Sequence, residues 1–397
     1  MKPKIAIIGS GPIGLEAGLA AKARGYSVDI YERGEVADSV RRWGHVRMFS
    51  PFSLNASREG IAELRRQGRE VPLDDAILTG AEYATQYLIP LGNFLGVKAH
   101  HTVKAIARDG LLKNQEIGEP ARSHAPFRLL IDHGSAESYE TADIIFDCSG
   151  TFLNPNPLGD GGIPALGEAS LRSAIRYGLG ETADLSAHAD RRTLVVGGGH
   201  TANNAIAALA GLQAEHPGTR IAWVSVKPGP LPGTRVPDDP LPERDRLVAT
   251  VNDLASSGKV AYHSGSMVYS LRREASGIAV TLRGTDREST EVIETDYIIA
   301  ATGYRPDPQL ASELHVQNCW ATDGTYKLAA SLFGGSCDSC DCLSMPALGA
   351  EKLLHPEPGY YSLGTKSYGR TPDFLIQAGR EQMIALLEMM EAGVPVS

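Results

Sequence analysis

Two stretches of the chain repeat one pattern of apolar and small residues. Ile5 to Ile8 run without a polar break into Gly9, Gly11 and Gly14, and Leu15, Ala17, Leu19 and Ala20 then continue at helix-compatible spacing. Far downstream, Thr193 to Val196 lead into Gly197, Gly198 and Gly199, followed by Ala202, Ala205, Ile206, Ala208 and Leu209. A short apolar run bounded by glycines suits a strand buried in a parallel sheet. Each stretch therefore predicts strand, tight turn and helix. Ser27–Tyr31 and Ile221–Val226 predict the strand that follows in each case. Further strands are expected in "HTVKAI" (101–106), at the ends of "DIIFDCSGT" (143–151) and "DYIIAATGYRPD" (296–307), and over Tyr360–Leu363. The last helix is expected to be capped by Thr371, with Pro372 in its first turn and Asp373 next. Phe374, Leu375, Ala378, Met383, Ile384 and Leu387 would form its buried stripe.

The glycine spacing carries chemistry. Gly9, Gly11 and Gly14 fit G-x-G-x-x-G. Gly9 would make the tight turn, Gly11 would let backbone approach a pyrophosphate, and Gly14 would let the helix pack on the sheet. Ser10, Pro12 and Ile13 fill the same loop, whose helix amides would face the phosphates. Glu32, with Arg33 after it, ends the second strand about 20 residues on, where an acid grips ribose hydroxyls. In the second stretch, Ala202 stands where the third glycine would be, beside His200 and Thr201. Its following strand ends at Lys227, a cation that could meet a 2′-phosphate and tips the expectation toward NADPH over NADH. His200 reads as a helix-start residue lining that site rather than a general base. Two such sites in one chain suit a bound FAD and an exchanging NAD(P)H.

Composition narrows the setting. The 397 residues suffice for two domains, with 42% hydrophobic and 21% charged residues. The net charge of -9 argues against a nucleic-acid partner. No apolar run reaches membrane-spanning length, and the N-terminal run is too short for a signal peptide. Five irregularly spaced cysteines point to a reduced, cytoplasmic setting rather than a disulfide framework.

With these motifs the chain resembles the two-dinucleotide-binding-domain flavoproteins, and "ATGY" resembles the motif of the flavin N-hydroxylating, class B monooxygenases. "WGHVRMFSPFSLN" (43–55) and "GTKSYGRTPDFLIQAGREQ" (364–382) resemble a family of bacterial flavin monooxygenase-like proteins, some of which accompany arsenic-resistance genes. The resemblance implies an α/β chain with two Rossmann-like domains, the NAD(P)H-binding one (165–295) inserted in the FAD-binding one (1–150 and 296–397). "FLNPNPLGDGGIP" (152–164) would be the crossover. It further implies FAD contacts at Val103, Ser149, Gly150, Gly364 and Phe374, and NAD(P)H contacts at Gly303 and Tyr304. The final helix would point its N-terminus at the flavin, with Lys366 and Arg370 adding positive field. Trp43 would pack on the cofactor, and His45 or Arg47 would bond near the flavin or its phosphates. His45, Arg47, Lys366 and Arg370 are thus the candidates for a catalytic part, and no catalytic base is named. The proline-rich Val226–Asp245 segment reads as a cofactor lid or as an inert loop.

The chain lacks the F-x-G-x-x-x-H-x-x-x-W fingerprint of Baeyer–Villiger and flavin-containing monooxygenases. It also lacks the cysteine pairs of thioredoxin and glutathione reductases. "CDSCDC" places Cys337, Cys340 and Cys342 together, as plain loop thiols, as a redox or metalloid-capturing dithiol, or as ligands of a soft metal. The expectation is an FAD-dependent NAD(P)H oxidoreductase, a monooxygenase working through a peroxyflavin on a small substrate with molecular oxygen. A thiol, disulfide or metalloid reductase using the cysteine loop, and a non-catalytic FAD-holding redox or metalloid sensor, are its rivals. The sequence leaves the oligomeric state open; a homodimer is common among such folds by analogy.

Overall fold

A computed structural model describes residues 2–178, 184–335, 349–372 and 374–393. Six strands come first: β1 (Lys4–Ile8), β2 (Ser27–Tyr31), β3 (Thr102–Arg108), β4 (Phe127–Asp132), β5 (Glu137–Ala142) and β6 (Ile144–Asp147). Eight follow: β7 (Ile175–Tyr177), β8 (Arg192–Val196), β9 (Arg220–Ser225), β10 (Ala261–Ser264), β11 (Ser266–Glu274), β12 (Gly277–Gly284), β13 (Thr290–Thr295) and β14 (Tyr297–Ala300). β15 (Tyr360–Ser362) is the last. The chain forms two compact units, one of Met1–Arg41, Ser50–Asn154 and Arg305–Ser397, the other of Arg42–Phe49 and Pro155–Tyr304.

In the first unit a parallel sheet has the order β15-β6-β1-β2, and β3-β4-β5 form an antiparallel meander. Alternation along β1 explains why its sequence is apolar throughout. Ile5 and Ile7 pack with Ile13, Ala17 and Ala20 of the Pro12–Ala23 helix and with Met383, Leu386 and Leu387 of the Ile376–Glu391 helix. Ala6 and Ile8 pack with Phe127, Leu129 and Ile131 of the meander. Both faces of the strand are therefore covered, and neither can be polar.

The second unit repeats this plan. Its parallel sheet has the order β10-β9-β8-β14-β7, with β11-β12-β13 as the meander. Val195 and Ile299 meet Ala205, Ile206 and Leu209 of the His200–Glu215 helix. Leu194, Val196 and Ile298 meet Val268, Ile278 and Val280 of the meander.

Two boundaries differ from expectation and one agrees. Residues 296–304 stay with the second unit, because β14 pairs in parallel with both β8 and β7, and the return comes at Arg305 rather than 296. The outward boundary, between Asn154 and Pro155, lies inside the expected crossover. The final helix starts at Ile376, not after Thr371. Gly369 has φ +69°, and a Cβ there would fall 2.0 Å from the Thr322 carbonyl, so the chain turns at that point instead of continuing. A short helix, Thr365–Tyr368, precedes that turn. The Val226–Asp245 segment is tied down: Arg244 chelates Asp239 at 2.8 and 2.6 Å, and Arg235 chelates Asp245 at 2.7 and 2.6 Å. No helix among the described residues is long and apolar enough to cross a membrane.

One buried ionic knot braces the first unit. Glu357 accepts Arg108 Nε at 2.7 Å through one oxygen and Arg122 Nη2 at 2.8 Å through the other. All three side chains are at most 2% exposed, and Arg108 lies over the Phe127 ring at 3.7 Å. Glu357→Gln should leave two buried guanidiniums without a counter-ion and cost about 3–5 kcal/mol, read as a lower urea midpoint. His355, also buried, has its pKa pushed from 6.5 to about 4, chiefly by burial. Its contribution is complete above 6.5 and is lost as pH falls toward 4, because the unfolded chain binds the proton first. His355→Gln should flatten the stability–pH slope over that window in urea titrations.

Candidate functional site

In each parallel sheet the chain leaves the strand that precedes the glycine turn on one side and returns to pair on the other. β1 lies between β2 and β6, and β8 between β9 and β14. Such a switch point opens a crevice beyond the carboxyl ends of the strands, where ligands bind in open α/β sheets. Both glycine turns stand there.

The first turn divides its glycines by cause. Gly9 has φ +96°, and a Cβ on it would lie 2.6 Å from the Cys148 carbonyl at the end of β6. A Cβ on Gly14 would lie 2.0 Å from the Gly9 carbonyl. Gly11 is different: an added Cβ meets nothing within 4 Å, and its φ of -72° is ordinary. The fold requires Gly9 and Gly14; Gly11 keeps open space in front of a helix N-terminus. Glu32 is fixed beside this turn. One oxygen accepts the backbone N–H and the hydroxyl of Ser10, both at 2.9 Å, and the other accepts Gly34 N–H at 2.9 Å. Pro12 and Ile13 open the helix, while Arg33 is exposed. Val103 lies half-buried in β3, beyond the 98–101 stretch whose backbone pairs with Ile30 and Glu32. This loop, helix start and ribose-side acid fit an adenine dinucleotide such as FAD.

The second turn has the same division. A Cβ on Gly197, at φ +134°, would fall 2.1 Å from the Ala301 carbonyl, whereas one on Gly199 would meet nothing within 4 Å. Trp223 pins the turn by donating Nε1–H to the Gly197 carbonyl at 2.7 Å. His200 and Thr201 begin the helix, and Ala202 is fully buried where the third glycine would pack. The His200 ring meets Phe49 edge-on at 4.9 Å, and this desolvation, with Arg244 nearby, lowers its pKa. A proton is thus held less readily there, in keeping with a lining role. Lys227 is exposed at the end of β9 and bonds the Thr234 hydroxyl. Gly303, at φ +81°, and Thr302 are tied to Asn156, and a Cβ on Gly178 would collide with the Tyr304 hydroxyl. This site fits a second dinucleotide.

The remaining candidates divide. Trp43, His45 and Arg47 belong to the stretch grouped with the second unit, although the resemblance assigned them to the flavin. Trp43 is half-buried, and burial lowers the His45 pKa. Lys366 is not a free cation: it donates to buried Asp147 at 2.7 Å. Arg370 donates to Asp323 at 2.6 Å on the surface. Ser149 and Gly150 follow β6, and Gly364 and Phe374 pack against the start of the first helix. A Cβ on Gly364 would approach Ile13 to 3.3 Å, and one on Gly379 would meet the Phe374 ring at 2.7 Å and Ile13 at 2.8 Å. Cys337, Cys340 and Cys342 lie outside the described residues. Among the described residues no group of His, Cys, Asp and Glu is placed to hold a metal.

Two further acids belong to the first unit's site region. Asp147 accepts the Tyr360 hydroxyl at 2.6 Å as well as Lys366, and these two with Ser149 hold its carboxyl ionised against the desolvation of its site. Its signal was an acid closing the apolar run 144–146. Glu16, buried in the first helix, accepts Tyr87 Oη–H at 2.6 Å and Ser57 N–H at 3.1 Å, and burial raises its pKa. Beside Asp147, Tyr360, Ser362 and Lys366 line a cavity of about 160 Å³ with Asp307 and Asn318.

Comparison with known proteins agrees with this construction. Two models, both described as pyridine nucleotide-disulphide oxidoreductase, match residues 6–115 and 142–326, so the chain carries two domains of that type. Among solved structures, the bacillithiol disulfide reductase of Bacillus cereus superposes with a TM-score of 0.70 at 16% identity, covering 99% of this chain and 100% of that one. The ornithine N-hydroxylase of Kutzneria sp. 744, solved with reduced FAD, NADP+ and L-ornithine, gives 0.67 at 16% identity, with 99% and 100% covered. The L-lysine 6-monooxygenase of Pseudomonas syringae gives 0.64 at 14%, again with 99% and 100% covered. These likenesses show the fold. In sequence, the kynurenine 3-monooxygenase of Emericella nidulans is 36% identical over 77 residues, which is 19% of this chain and 15% of that protein's length.

The glycine geometry makes a paired prediction. Gly14→Ala should destabilise the fold, because its methyl overlaps the Gly9 carbonyl. Gly11→Ala should leave the thermal midpoint of the FAD-free protein unchanged and weaken FAD retention. Thermal melts and flavin content of the purified variants check both.

Proposed function

We propose that this chain, built of two pyridine nucleotide-disulphide oxidoreductase domains, is an FAD-dependent NAD(P)H oxidoreductase that works as a monooxygenase on a small substrate. The observation that carries the reading is the pair Gly11 and Gly199. In each unit one glycine of the turn, at a helix N-terminus, answers to no protein atom within 4 Å, which supports a ligand close to the backbone there as the reason for glycine. The first unit would hold FAD through the Gly9–Gly14 loop, Glu32, Ser149–Gly150 and Gly364. The second would hold the nicotinamide dinucleotide through Gly197–Ala202, with Lys227 facing a 2′-phosphate. Bound FAD supplies a two-electron relay between nicotinamide and oxygen. The protein's part is to seat, orient and shield, and no side chain need donate a proton. The setting is the reduced cytoplasm suggested by cysteine usage.

A disulfide or metalloid reductase is the second reading. The B. cereus reductase shares the fold, and Cys319 has a thiol whose pKa is lowered: burial opposes the shift, but hydrogen bonds from Thr322 and the Ala321 backbone outweigh it. Cys148 offers no such nucleophile, because burial and Asp147 push its thiol up.

The test is NADPH consumption by the FAD-bearing protein in air. Gly199→Ala should raise the KM for NADPH several-fold while flavin content stays at the wild-type level, and Lys227→Ala should narrow the preference for NADPH over NADH. A triple Cys337→Ala, Cys340→Ala, Cys342→Ala variant should keep the NADPH-dependent oxygen uptake. NADPH-dependent disulfide reduction by the wild-type protein that the triple variant loses would favour the reductase, and a protein that purifies without flavin would end both readings.

A further inference from the structure

Asp147 ends β6 between β1 and β15, in register with Ile8 on one side and Ser362 on the other. Its carboxylate is fully buried. One oxygen accepts Ser149 N–H at 3.1 Å and the Ser149 hydroxyl at 2.6 Å. The other accepts the Tyr360 hydroxyl at 2.6 Å and Lys366 Nζ at 2.7 Å. Lys366 Nζ also donates to the Ser149 oxygen at 3.1 Å, which closes a ring of Asp147, Ser149 and Lys366.

That ring joins two turns. Ser149 leads into Gly150, and Lys366 follows Gly364 and Thr365; both glycines have φ +68°. The turns lie against each other and against the first glycine loop. A Cβ on Gly150 would stand 3.5 Å from Thr365 Oγ1, one on Gly364 3.3 Å from Ile13, and one on Gly9 2.6 Å from the Cys148 carbonyl. Three backbone turns therefore meet where FAD would be seated.

We infer that the Lys366–Asp147 pair is a positioning device for the flavin dinucleotide, clamping the Cys148–Gly150 turn to the Gly364–Thr365 turn so that the seat is formed before FAD arrives. The inference rests on the reading that the first unit holds FAD. It replaces the role expected of Lys366 as a free positive charge beside the flavin. An apolar pair of similar volume is often as stable as a buried ion pair. Such a pair would lack the directed bonds that fix Ser149, and with it Gly150.

Removing one partner alone would bury an uncompensated charge and risk the fold. The test is therefore the neutral double variant Asp147→Asn, Lys366→Met, with Tyr360→Phe beside it. Dissociation constants for FAD and for NADPH are measured on each holoprotein, with the thermal midpoint after FAD removal. In the double variant FAD should bind about tenfold or more weakly, the scale on which outer partners tune a bound group. NADPH affinity and the FAD-free thermal midpoint should stay at wild-type values. Tyr360→Phe, which keeps the ring, should bind FAD almost as wild type. A double variant with wild-type FAD affinity overturns the clamp while leaving the flavin reading intact, and equal losses in FAD affinity, NADPH affinity and thermal midpoint make the pair a general brace and overturn it too. A wild-type chain that binds no FAD fails the functional reading and this inference with it.

Discussion

Everything in this molecule depends on a close approach of two backbones at the end of a parallel sheet. In the first unit the Gly9 α-carbon faces the Cys148 carbonyl, and in the second the Gly197 α-carbon faces the Ala301 carbonyl. A side chain at either place would overlap a carbonyl at 2.6 or 2.1 Å. Backbone against backbone cannot yield by changing a rotamer, so these positions admit only glycine. The approach brings two strand ends together at a topological switch point, and a helix N-terminus then faces the crevice so formed. The chain carries out this construction twice, with the same three layers of helix, sheet and meander.

Polar groups support the approach from below. Glu32 fastens the first turn to the strand beside it, Trp223 fastens the second, and Asp147 with Lys366 fastens the strand end opposite Gly9. Each polar atom named here is satisfied inside the protein. These groups shape the crevice and leave the open face of the glycine turns to a ligand. The division of labour matches cofactor chemistry, in which the reactive atoms belong to the bound group and the protein contributes geometry and field.

The glycine turns, their flanking strands and Glu32 were legible because each rests on local constraints: an apolar run, a turn that only glycine can make, an acid at a strand end. The return from the second unit was placed too early because "DYIIAATGY" looks alike whether its strand joins one sheet or the other, and only the pairing of β14 with β8 decides. Thr371-Pro372 reads as good capping chemistry, yet Leu375 is still extended at φ -117° and ψ 145° and the helix begins only at Ile376. Lys366 reads in the sequence as added positive field because its partner stands 219 positions away. Arg108 and Arg122 likewise meet Glu357 across 249 and 235 positions of chain. Long-range polar pairing leaves no periodicity for a sequence to display.

The most direct measurement is a crystal structure of the protein with FAD and NADP+ together. The account predicts one FAD with its pyrophosphate over Gly11 and its ribose hydroxyls on Glu32, and one NADP+ with its pyrophosphate over Gly199. A single dinucleotide per chain, or pyrophosphates seated away from both glycines, would contradict it.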